Sequence, residues 1–218
     1  MSRKFDLIVF DWDGTLMDST ALIVRSLQAA CADLELPVPD DVRAAHVIGL
    51  SLADAIHYLL PQVPDSAHQK VAERYRYHFL TDADTLVLFE GVPELLASLH
   101  ERGHQLAVAT GKARRGLDRV LIGSGIEHLF VATRCADESF SKPHPGMLLE
   151  LMDECMVAPE RTLMIGDTTH DLLMARNAGA AGVAVSYGAH PVAVLQAEQP
   201  LAIVSDIASL RDWLACHA

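Results

Sequence analysis

Residues 9–19 read VFDWDGTLMDS and join the end of an apolar run to a turn that carries two aspartates. The apolar run, FDLIVF (5–10), has the length and composition of a buried strand, and Gly14 favours a turn directly after it. A turn accounts for one aspartate, but Asp11 and Asp13 repel each other unless a cation lies between them. This junction therefore predicts a strand that delivers a carboxylate pair to a binding site.

Similar apolar runs recur in the second half of the chain and predict five more strands: QLAVAT (105–110), LFVATRC (129–135), TLMIGD (162–167), GVAVS (182–186) and LAIVS (201–205). Helical patterns lie between them, among them VPELLASLHERG, which ends at Gly103, and PGMLLELMDECM, which opens at Pro145. Strands that alternate with helices favour right-handed crossovers and a parallel sheet covered on both faces. The predicted fold class is α/β, a Rossmann-like, doubly wound parallel sheet.

Residues 17 to 88 interrupt this alternation, because the patterns there are helical throughout. Three helices are predicted, with prolines at the joints between them: TALIVRSLQAACADLEL, SLADAIHYLL and DSAHQKVAERYRYHFL. The segment starts just after the aspartate pair and returns just before FEGVPELL, so we expect both connections close to the pair. We predict an α/β core domain of residues 1–16 and 89–218 with an inserted α-helical cap domain of residues 17–88.

The composition limits the classes of function. Seventeen basic and 29 acidic residues give a net charge of −12, which disfavours binding to nucleic acid or to an anionic membrane. No apolar segment approaches the roughly 18 residues of a membrane-spanning helix, and the apolar stretch after Lys4 is too short for a signal peptide. The four cysteines have neither metal-site spacing nor the density of a disulfide scaffold. These features predict a cytoplasmic protein with reduced thiols, either a monomer or a homodimer.

Polar residues follow three of the predicted strands at their carboxyl ends, which is the edge of a parallel sheet where ligands bind. Asp11 and Asp13 follow FDLIVF, and Thr110 ends QLAVAT. Asp167 follows TLMIG, and Asp171 comes four residues later. All five side chains are therefore expected to converge on one crevice.

A further signal is SKPHP, in which Lys142 precedes prolines that stiffen the loop just before a helix. This edge of the sheet is expected to combine carboxylates, a hydroxyl, a lysine and helix N-termini. Such a combination suits a divalent metal and a phosphoryl group. Oxygen ligands suit Mg²⁺, while lysine and backbone N–H groups neutralise phosphate oxygens. The constellation predicts metal-dependent chemistry on a small phosphorylated molecule.

With these motifs in place, the sequence resembles phosphohydrolases of the haloacid dehalogenase superfamily, especially the phosphoglycolate-phosphatase-like branch with a helical cap. Four motifs carry the resemblance, in order along nearly the whole chain: DWDGT at 11–15, VATGK around Thr110, SKPHP around Lys142, and GDTTHD with Asp167 and Asp171. Trp12 occupies the variable position of the first motif, and His144 stands where smaller or acidic residues are more usual. Neither departure changes a residue that the chemistry needs.

The resemblance implies catalytic and metal-binding roles for the carboxylates. Asp11 is implied as the nucleophile that forms an aspartyl-phosphate. Asp13 is implied as the acid that protonates the leaving oxygen and the base that then activates water. The implied Mg²⁺ ligands are Asp11, the main-chain oxygen of Asp13, and Asp167, with Asp171 as a further carboxylate.

The resemblance also implies a set of phosphoryl-binding and substrate-binding residues. Thr110, the Gly111 backbone and Lys142 are implied to hold the phosphoryl group, and Lys142 counts among the catalytic residues for that reason. Lys112 is the basic residue of GKARRGLDR that is near enough to Thr110 to contact substrate. Gly49 lies in the cap loop HVIGLSLADA, which this branch uses for selectivity.

Some of these residues have a plainer structural role open to them. Asp171 could do no more than cap the helix that begins near it, since aspartate is a common N-cap. Gly49 could belong to an ordinary turn between helices. We expect His170 to start a helix or form a hydrogen bond rather than to bind metal.

The function predicted is Mg²⁺-dependent hydrolysis of a small phosphomonoester, similar to that of phosphoglycolate phosphatases. A phosphomutase of the β-phosphoglucomutase type is the alternative, because it shares Asp11, Asp13 and the metal site. Such mutases tend to carry basic residues in the cap loop, and HVIGLSL has none, which favours hydrolysis. A response-regulator receiver domain is shorter and places its phosphoaccepting aspartate after a later strand. Phosphoglycolate, a sugar phosphate and a nucleotide monophosphate all remain open as substrates.

Overall fold

The computed structural model describes residues 4–218, and at its centre is a six-stranded parallel β-sheet. In chain order the strands are β1 (Leu7–Phe10), β2 (Gln105–Thr110), β3 (Ala132–Cys135), β4 (Thr162–Gly166), β5 (Ala181–Val185) and β6 (Ile203–Val204). Their spatial order is β3-β2-β1-β4-β5-β6, so the chain builds the sheet first on one side of β1 and then on the other. The doubly wound α/β class predicted from the sequence is confirmed.

Between β1 and β2 the chain forms a separate helical layer. Its helices are α1 (Thr20–Asp33), α2 (Asp41–His46), α3 (Leu52–Leu59) and α4 (Asp65–Asp82). Apolar side chains of α1, α3, α4 and the loop after α2 pack into one cluster. The sequence analysis did not predict α2, which is only six residues long and begins at Asp40, whose side chain accepts a hydrogen bond from the Arg43 N–H at 2.8 Å.

The remaining helices cover both faces of the sheet: α5 (Val92–Glu101), α6 (Arg114–Ser124), α7 (Gly146–Cys155), α8 (Thr169–Asn177), α9 (Val192–Ala197) and α10 (Ile207–His217). Side chains of β1 alternate between two hydrophobic clusters. Ile8 and Phe10 join the cluster built with α5 and α10, whereas Leu7 and Val9 join the cluster built with α7 and α8. Both faces of this central strand are buried, which explains its uninterrupted apolar run.

The two segments that connect the helical layer to the sheet run side by side. The Asp18 N–H donates a hydrogen bond to the Val87 carbonyl at 3.0 Å, and the Phe89 N–H donates to the Leu16 carbonyl at 3.0 Å. Both connections therefore lie within a few residues of Asp13, where the sequence analysis expected them.

Two strands, β3 and β6, are each three residues shorter than the apolar runs that predicted them. The run at 129–135 is extended only from Ala132, because residues 127–129 form a 3₁₀ turn. In the run at 201–205 only Ile203 and Val204 pair with β5. Both are edge strands, which are commonly short. The division into a core of 1–16 and 89–218 and a cap of 17–88 stays our proposal, and residues 1–3 lie outside the described residues.

The structure also bears on the expectations about membranes and thiols. Within residues 4–218 no helix combines the length and the apolar character needed to cross a bilayer. All four cysteines are free, and Cys31, Cys135 and Cys155 are buried. Disulfide bonds therefore contribute nothing to this fold.

Candidate active site

The predicted site residues meet at one edge of the sheet. Asp11 follows β1, Thr110 is the last residue of β2, and Asp167 follows β4. Because β1 pairs with both β2 and β4, these three strand ends are neighbours. The direction in which the chain adds strands reverses here, and open α/β sheets bind ligands at such a switch point.

The turn after β1 brings two of these strand ends into direct contact. Gly14 has a φ of +80°, and a Cβ at this position would clash with the Asp167 carboxylate, so only glycine fits. Thr15 Oγ1 donates a hydrogen bond to Oδ1 of Asp167 at 2.9 Å, and the Tyr187 hydroxyl donates to the Thr15 carbonyl at 2.9 Å. The glycine and threonine of DWDGT thus position an aspartate that belongs to another strand.

Lys142 is buried and joins two of the carboxylates. Its Nζ lies 2.7 Å from Oδ1 of Asp11 and 2.6 Å from Oδ1 of Asp171. Burial lowers the pKa of this ammonium, but the charges of Asp11 and Asp171 outweigh burial and raise its pKa above the usual value. Lys142 is therefore positively charged at neutral pH and faces the predicted nucleophile.

Asp11, Asp167 and Asp171 form a buried acidic cluster, in which one carboxylate oxygen of each lies within 4.8 Å of the others. Burial raises the pKa of Asp11 to about 7 although Lys142 acts in the opposite direction. Burial, then the charges of Asp11 and Asp171, raise the pKa of Asp167. Oδ1 of Asp11 is at ion-pair distance from Lys142, whereas Oδ2 of Asp11 has no hydrogen-bond partner among the described residues. Three buried carboxylates against one lysine leave negative charge that a divalent cation would balance, so these oxygen donors fit Mg²⁺.

Backbone and hydroxyl groups hold the other two carboxylates of this cluster. The Ala189 N–H donates to Oδ2 of Asp167 at 2.7 Å. Oδ2 of Asp171 accepts hydrogen bonds from the Thr168 N–H at 3.1 Å and the Thr168 hydroxyl at 2.7 Å, in a capping box at the start of α8. The other oxygen of Asp171 contacts Lys142, so this aspartate both caps the helix and belongs to the cluster.

Asp13 lies between Ser19 and Lys112. The Ser19 hydroxyl donates to Oδ1 of Asp13 at 2.6 Å, and Lys112 Nζ lies 2.8 Å from both carboxylate oxygens. The same ammonium is 4.9 Å from the centre of the Phe79 ring on α4. Lys112 therefore reaches the site, where its partner is the carboxylate of the predicted acid.

The predicted phosphoryl-binding residues at the end of β2 lie under the loop that follows α2. Thr110 is buried, and its Oγ1 accepts a hydrogen bond from the Lys112 N–H at 3.2 Å. A Cβ on Gly111 would clash with the carbonyl oxygens of Gly49 and Leu50. The loop thus packs directly on Gly111, and Gly49 is beside the site as the sequence analysis expected.

Two histidines, one in α8 and one after β5, contact the carbonyl group of His46, the last residue of α2 just before this loop. We call this arrangement the histidine latch. Nε2 of His170 lies 2.8 Å and Nε2 of His190 lies 3.1 Å from the His46 carbonyl oxygen. The Thr169 N–H donates to Nδ1 of His190 at 3.0 Å, so the proton of the neutral His190 ring is on Nε2. Burial lowers the pKa of His170, and it lowers the pKa of His190 to about 4. Both rings are therefore neutral donors at neutral pH.

A cavity of about 1270 Å³ between the helical layer and the sheet opens onto Asp11 and Asp13. Arg115 and Arg119 line it with Lys112, whereas the sequence analysis expected only Lys112 near the substrate. Two further lining residues, Tyr75 and Phe79, were missed. The sequence feature that could have identified them is their spacing of four residues within a helical pattern. An aromatic pair with this spacing, however, packs more often in a hydrophobic core than in a substrate-binding cavity.

Comparisons with known proteins place the chain among hydrolases. A family model for the haloacid dehalogenase-like hydrolases matches residues 8–185. The probable phosphatase IndB of Dickeya dadantii is 37% identical, over 97% of this chain and 94% of its own length. A 5′-nucleotidase of Pseudomonas aeruginosa is 35% identical over 98% and 97%, and a phosphoglycolate phosphatase of Haemophilus influenzae is 30% identical over 96% and 98%. A solved hydrolase structure from Pseudomonas syringae superimposes with a TM-score of 0.89 at 23% identity, over 97% of this chain and 98% of that one, and shows the same fold.

Proposed function

The chain belongs to the haloacid dehalogenase-like hydrolase family and is a phosphatase, and we propose that it hydrolyses a small phosphomonoester through a phosphorylated Asp11 with Mg²⁺ bound. The observation that carries this proposal is the Asp11 carboxylate, which is buried, has its Oδ1 2.7 Å from the Lys142 ammonium and leaves its Oδ2 without a hydrogen-bond partner among the described residues. A buried carboxylate in this state is available both to a cation and to an electrophilic phosphorus.

In the first half of the proposed reaction, an Asp11 oxygen attacks phosphorus and the bond from phosphorus to the leaving oxygen breaks. Asp13 gives its proton to that oxygen, so the leaving group departs as an alcohol. Thr110, the Gly111 N–H and Lys142 are proposed to orient the phosphoryl oxygens and to offset their charge. The ester substrate has then become an acyl phosphate on Asp11.

In the second half, Asp13 takes a proton from water, and the water oxygen bonds to phosphorus. The bond between phosphorus and the Asp11 oxygen breaks, which releases inorganic phosphate and restores the Asp11 carboxylate and the protonated Asp13. Ser19 and Lys112 keep Asp13 in one position through these steps, since they contact its oxygens at 2.6 to 2.8 Å.

We propose Asp11, the main-chain oxygen of Asp13, Asp167 and Asp171 as the residues that hold Mg²⁺. When bound, the ion supplies positive charge to the transferring phosphoryl group. The support for this ligand set is the buried cluster of three carboxylates with the charge of one lysine. We further propose a cytoplasmic enzyme that acts on a phosphorylated metabolite as a monomer or a homodimer.

The test is phosphate release from a panel of small phosphomonoesters, measured with Mg²⁺ and with chelator. We expect release by the wild type only with Mg²⁺, and none above background by Asp11→Asn. Asp18→Asn is the matched control, because Asp18 belongs to the same segment but its side chain is exposed. Retained turnover in Asp11→Asn would refute the assigned nucleophile. A phosphoenzyme that forms without net phosphate release would instead favour the phosphomutase alternative.

A further inference from the structure

The cavity above Asp11 and Asp13 is far larger than a phosphoryl group needs. Pockets of roughly 300 to 1,000 Å³ hold drug-sized ligands, and this cavity measures about 1270 Å³. Many of its lining residues are apolar and come from several segments of the chain, among them Leu52, Leu88 and Val120. The space beyond the leaving oxygen is therefore suited to a bulky and partly apolar group.

An aromatic pair lies beside the proposed acid. Tyr75 and Phe79 are one turn apart on α4, and their rings stack with centres 5.7 Å apart. The Phe79 ring lies 4.9 Å from Lys112 Nζ, which is 2.8 Å from both oxygens of Asp13. Burial and then the charge of Asp13 raise the pKa of Tyr75, and Tyr75 lines the same cavity as Asp13. Asp13 protonates the leaving oxygen in the proposed reaction. The alcohol part of the substrate, which is bonded to that oxygen, therefore lies next to these rings.

Among the described residues, none of the basic residues that line the cavity is both buried and unpaired. Lys112 is engaged by both oxygens of Asp13. Arg76 and Arg115 are exposed to solvent, and Arg119 already forms an ion pair. A carboxylate one carbon from the leaving oxygen would lie against the aromatic pair, where the nearby cation, Lys112, is already paired with Asp13. Losing water there without gaining an unpaired cation is costly.

We propose that the physiological substrate is a phosphomonoester of a bulky, ring-bearing alcohol, whose ring packs against Phe79 and Tyr75. This inference rests on the proposed function, because it takes Asp13 as the group that meets the leaving oxygen. Aromatic rings bind other rings in stacked or edge-to-face arrangements, in addition to the gain from burying apolar area. Phosphoglycolate has no ring and is then a poor substrate for this enzyme.

The test compares kcat/KM for benzyl phosphate, ethyl phosphate and phosphoglycolate in the presence of Mg²⁺. Benzyl and ethyl phosphate both release a simple primary alcohol, so their ratio isolates the contribution of the ring. We expect benzyl phosphate to exceed each of the other two by at least about tenfold, which is the scale of one well-packed apolar group in a specificity pocket.

Two variants assign this preference to the aromatic pair. Phe79→Leu removes the ring but keeps an apolar side chain, and we expect the benzyl-to-ethyl ratio to fall towards one. Tyr77→Leu is the matched control on the same helix, since Tyr77 is 59% exposed and does not line the cavity. We expect this variant to keep the wild-type ratio, and thermal melts check that both variants are folded.

The outcomes separate this inference from the function on which it rests. Phosphoglycolate turned over faster than benzyl phosphate, or equal rates for the benzyl and ethyl esters, would overturn the inference and leave the phosphatase assignment intact. A ratio that Phe79→Leu does not change would overturn the role of the aromatic pair. If the enzyme hydrolyses none of these esters and acetyl phosphate is not hydrolysed either, the proposed function fails, and the inference fails with it.

Discussion

Among single residues, Lys142 does the most to keep the acidic cluster together. Its Nζ is within 2.7 Å of two buried carboxylates, and the side chain is itself buried. A buried ion pair adds little net stability compared with an apolar pair, but removing one partner is costly, because the remaining charge is left buried and unpaired. The structural role of Lys142 and the catalytic role proposed for it therefore depend on the same two contacts.

We expect Lys142→Ala to lower the free energy of unfolding by about 3 to 5 kcal/mol in the presence of chelator. Phosphate release should also fall by at least about a hundredfold, on the scale of losing one electrostatic contact to the reacting group. Urea denaturation and phosphate assays measure the two effects. Lys70→Ala is the control, because Lys70 is exposed, and it should change neither. A Lys142→Ala protein as stable as the wild type would contradict this account of the cluster.

The residues of the acidic site were predictable because parallel strands end at a common edge. Asp11, Thr110 and Asp167 are far apart in the chain, yet each follows or ends an apolar run, and that position alone brings them together. Tyr75 and Phe79 were not predictable in this way. An aromatic pair on a helix can face either a hydrophobic core or a cavity. The packing of the helical layer on the sheet decides between the two, and the local sequence does not determine this packing.

At the scale of elements, the loop after α2 connects the helical layer to the chemistry. It covers Gly111, and the histidine latch contacts the carbonyl group of His46, the residue just before the loop. The Ser51 N–H at the end of this loop donates to the Ser141 hydroxyl at 2.9 Å, next to Lys142. The loop thus contacts both the end of β2 and the segment that carries Lys142.

We expect His170→Leu to weaken this closed arrangement, because it removes one of two donors to the His46 carbonyl. A hydrogen bond of this kind contributes about 1 kcal/mol, so KM should rise about fivefold while kcat changes less. His170→Gln keeps an N–H donor of similar reach and should restore KM to near the wild-type value. If the leucine and glutamine variants behave alike in steady-state kinetics, the hydrogen bond is not what holds the loop.

The sequence predicted the long elements better than the short ones. Apolar runs identified all six strands, because a strand buried on both faces leaves an uninterrupted signal. The helix α2 was missed, since six residues are too few to show a periodicity and its stability comes from a cap and from packing. The histidine latch joins residues 46, 170 and 190, a contact that exists only after the helical layer docks on the sheet.

For the molecule as a whole, the acidic cluster adds to a net charge of −12. Mutual repulsion at high net charge disfavours the compact state, and burying three carboxylates near one another raises that cost locally. A divalent cation at the cluster should therefore stabilise the whole fold as well as support the reaction. Screening by any salt reduces the general repulsion, so the specific effect of Mg²⁺ has to be separated from ionic strength.

We expect Mg²⁺ to raise the melting temperature relative to chelator, because it binds the folded site and has no equivalent site in the unfolded chain. At a concentration 100 times its Kd the gain is about 2.7 kcal/mol, or roughly 5 to 10 °C for a chain of this size. Thermal melts in NaCl of equal ionic strength measure the contribution of screening alone. Asp167→Asn removes one proposed ligand and should lose most of the Mg²⁺ effect while keeping the response to NaCl. An equal shift with NaCl, or an undiminished Mg²⁺ shift in Asp167→Asn, would show that the buried carboxylates do not bind the ion.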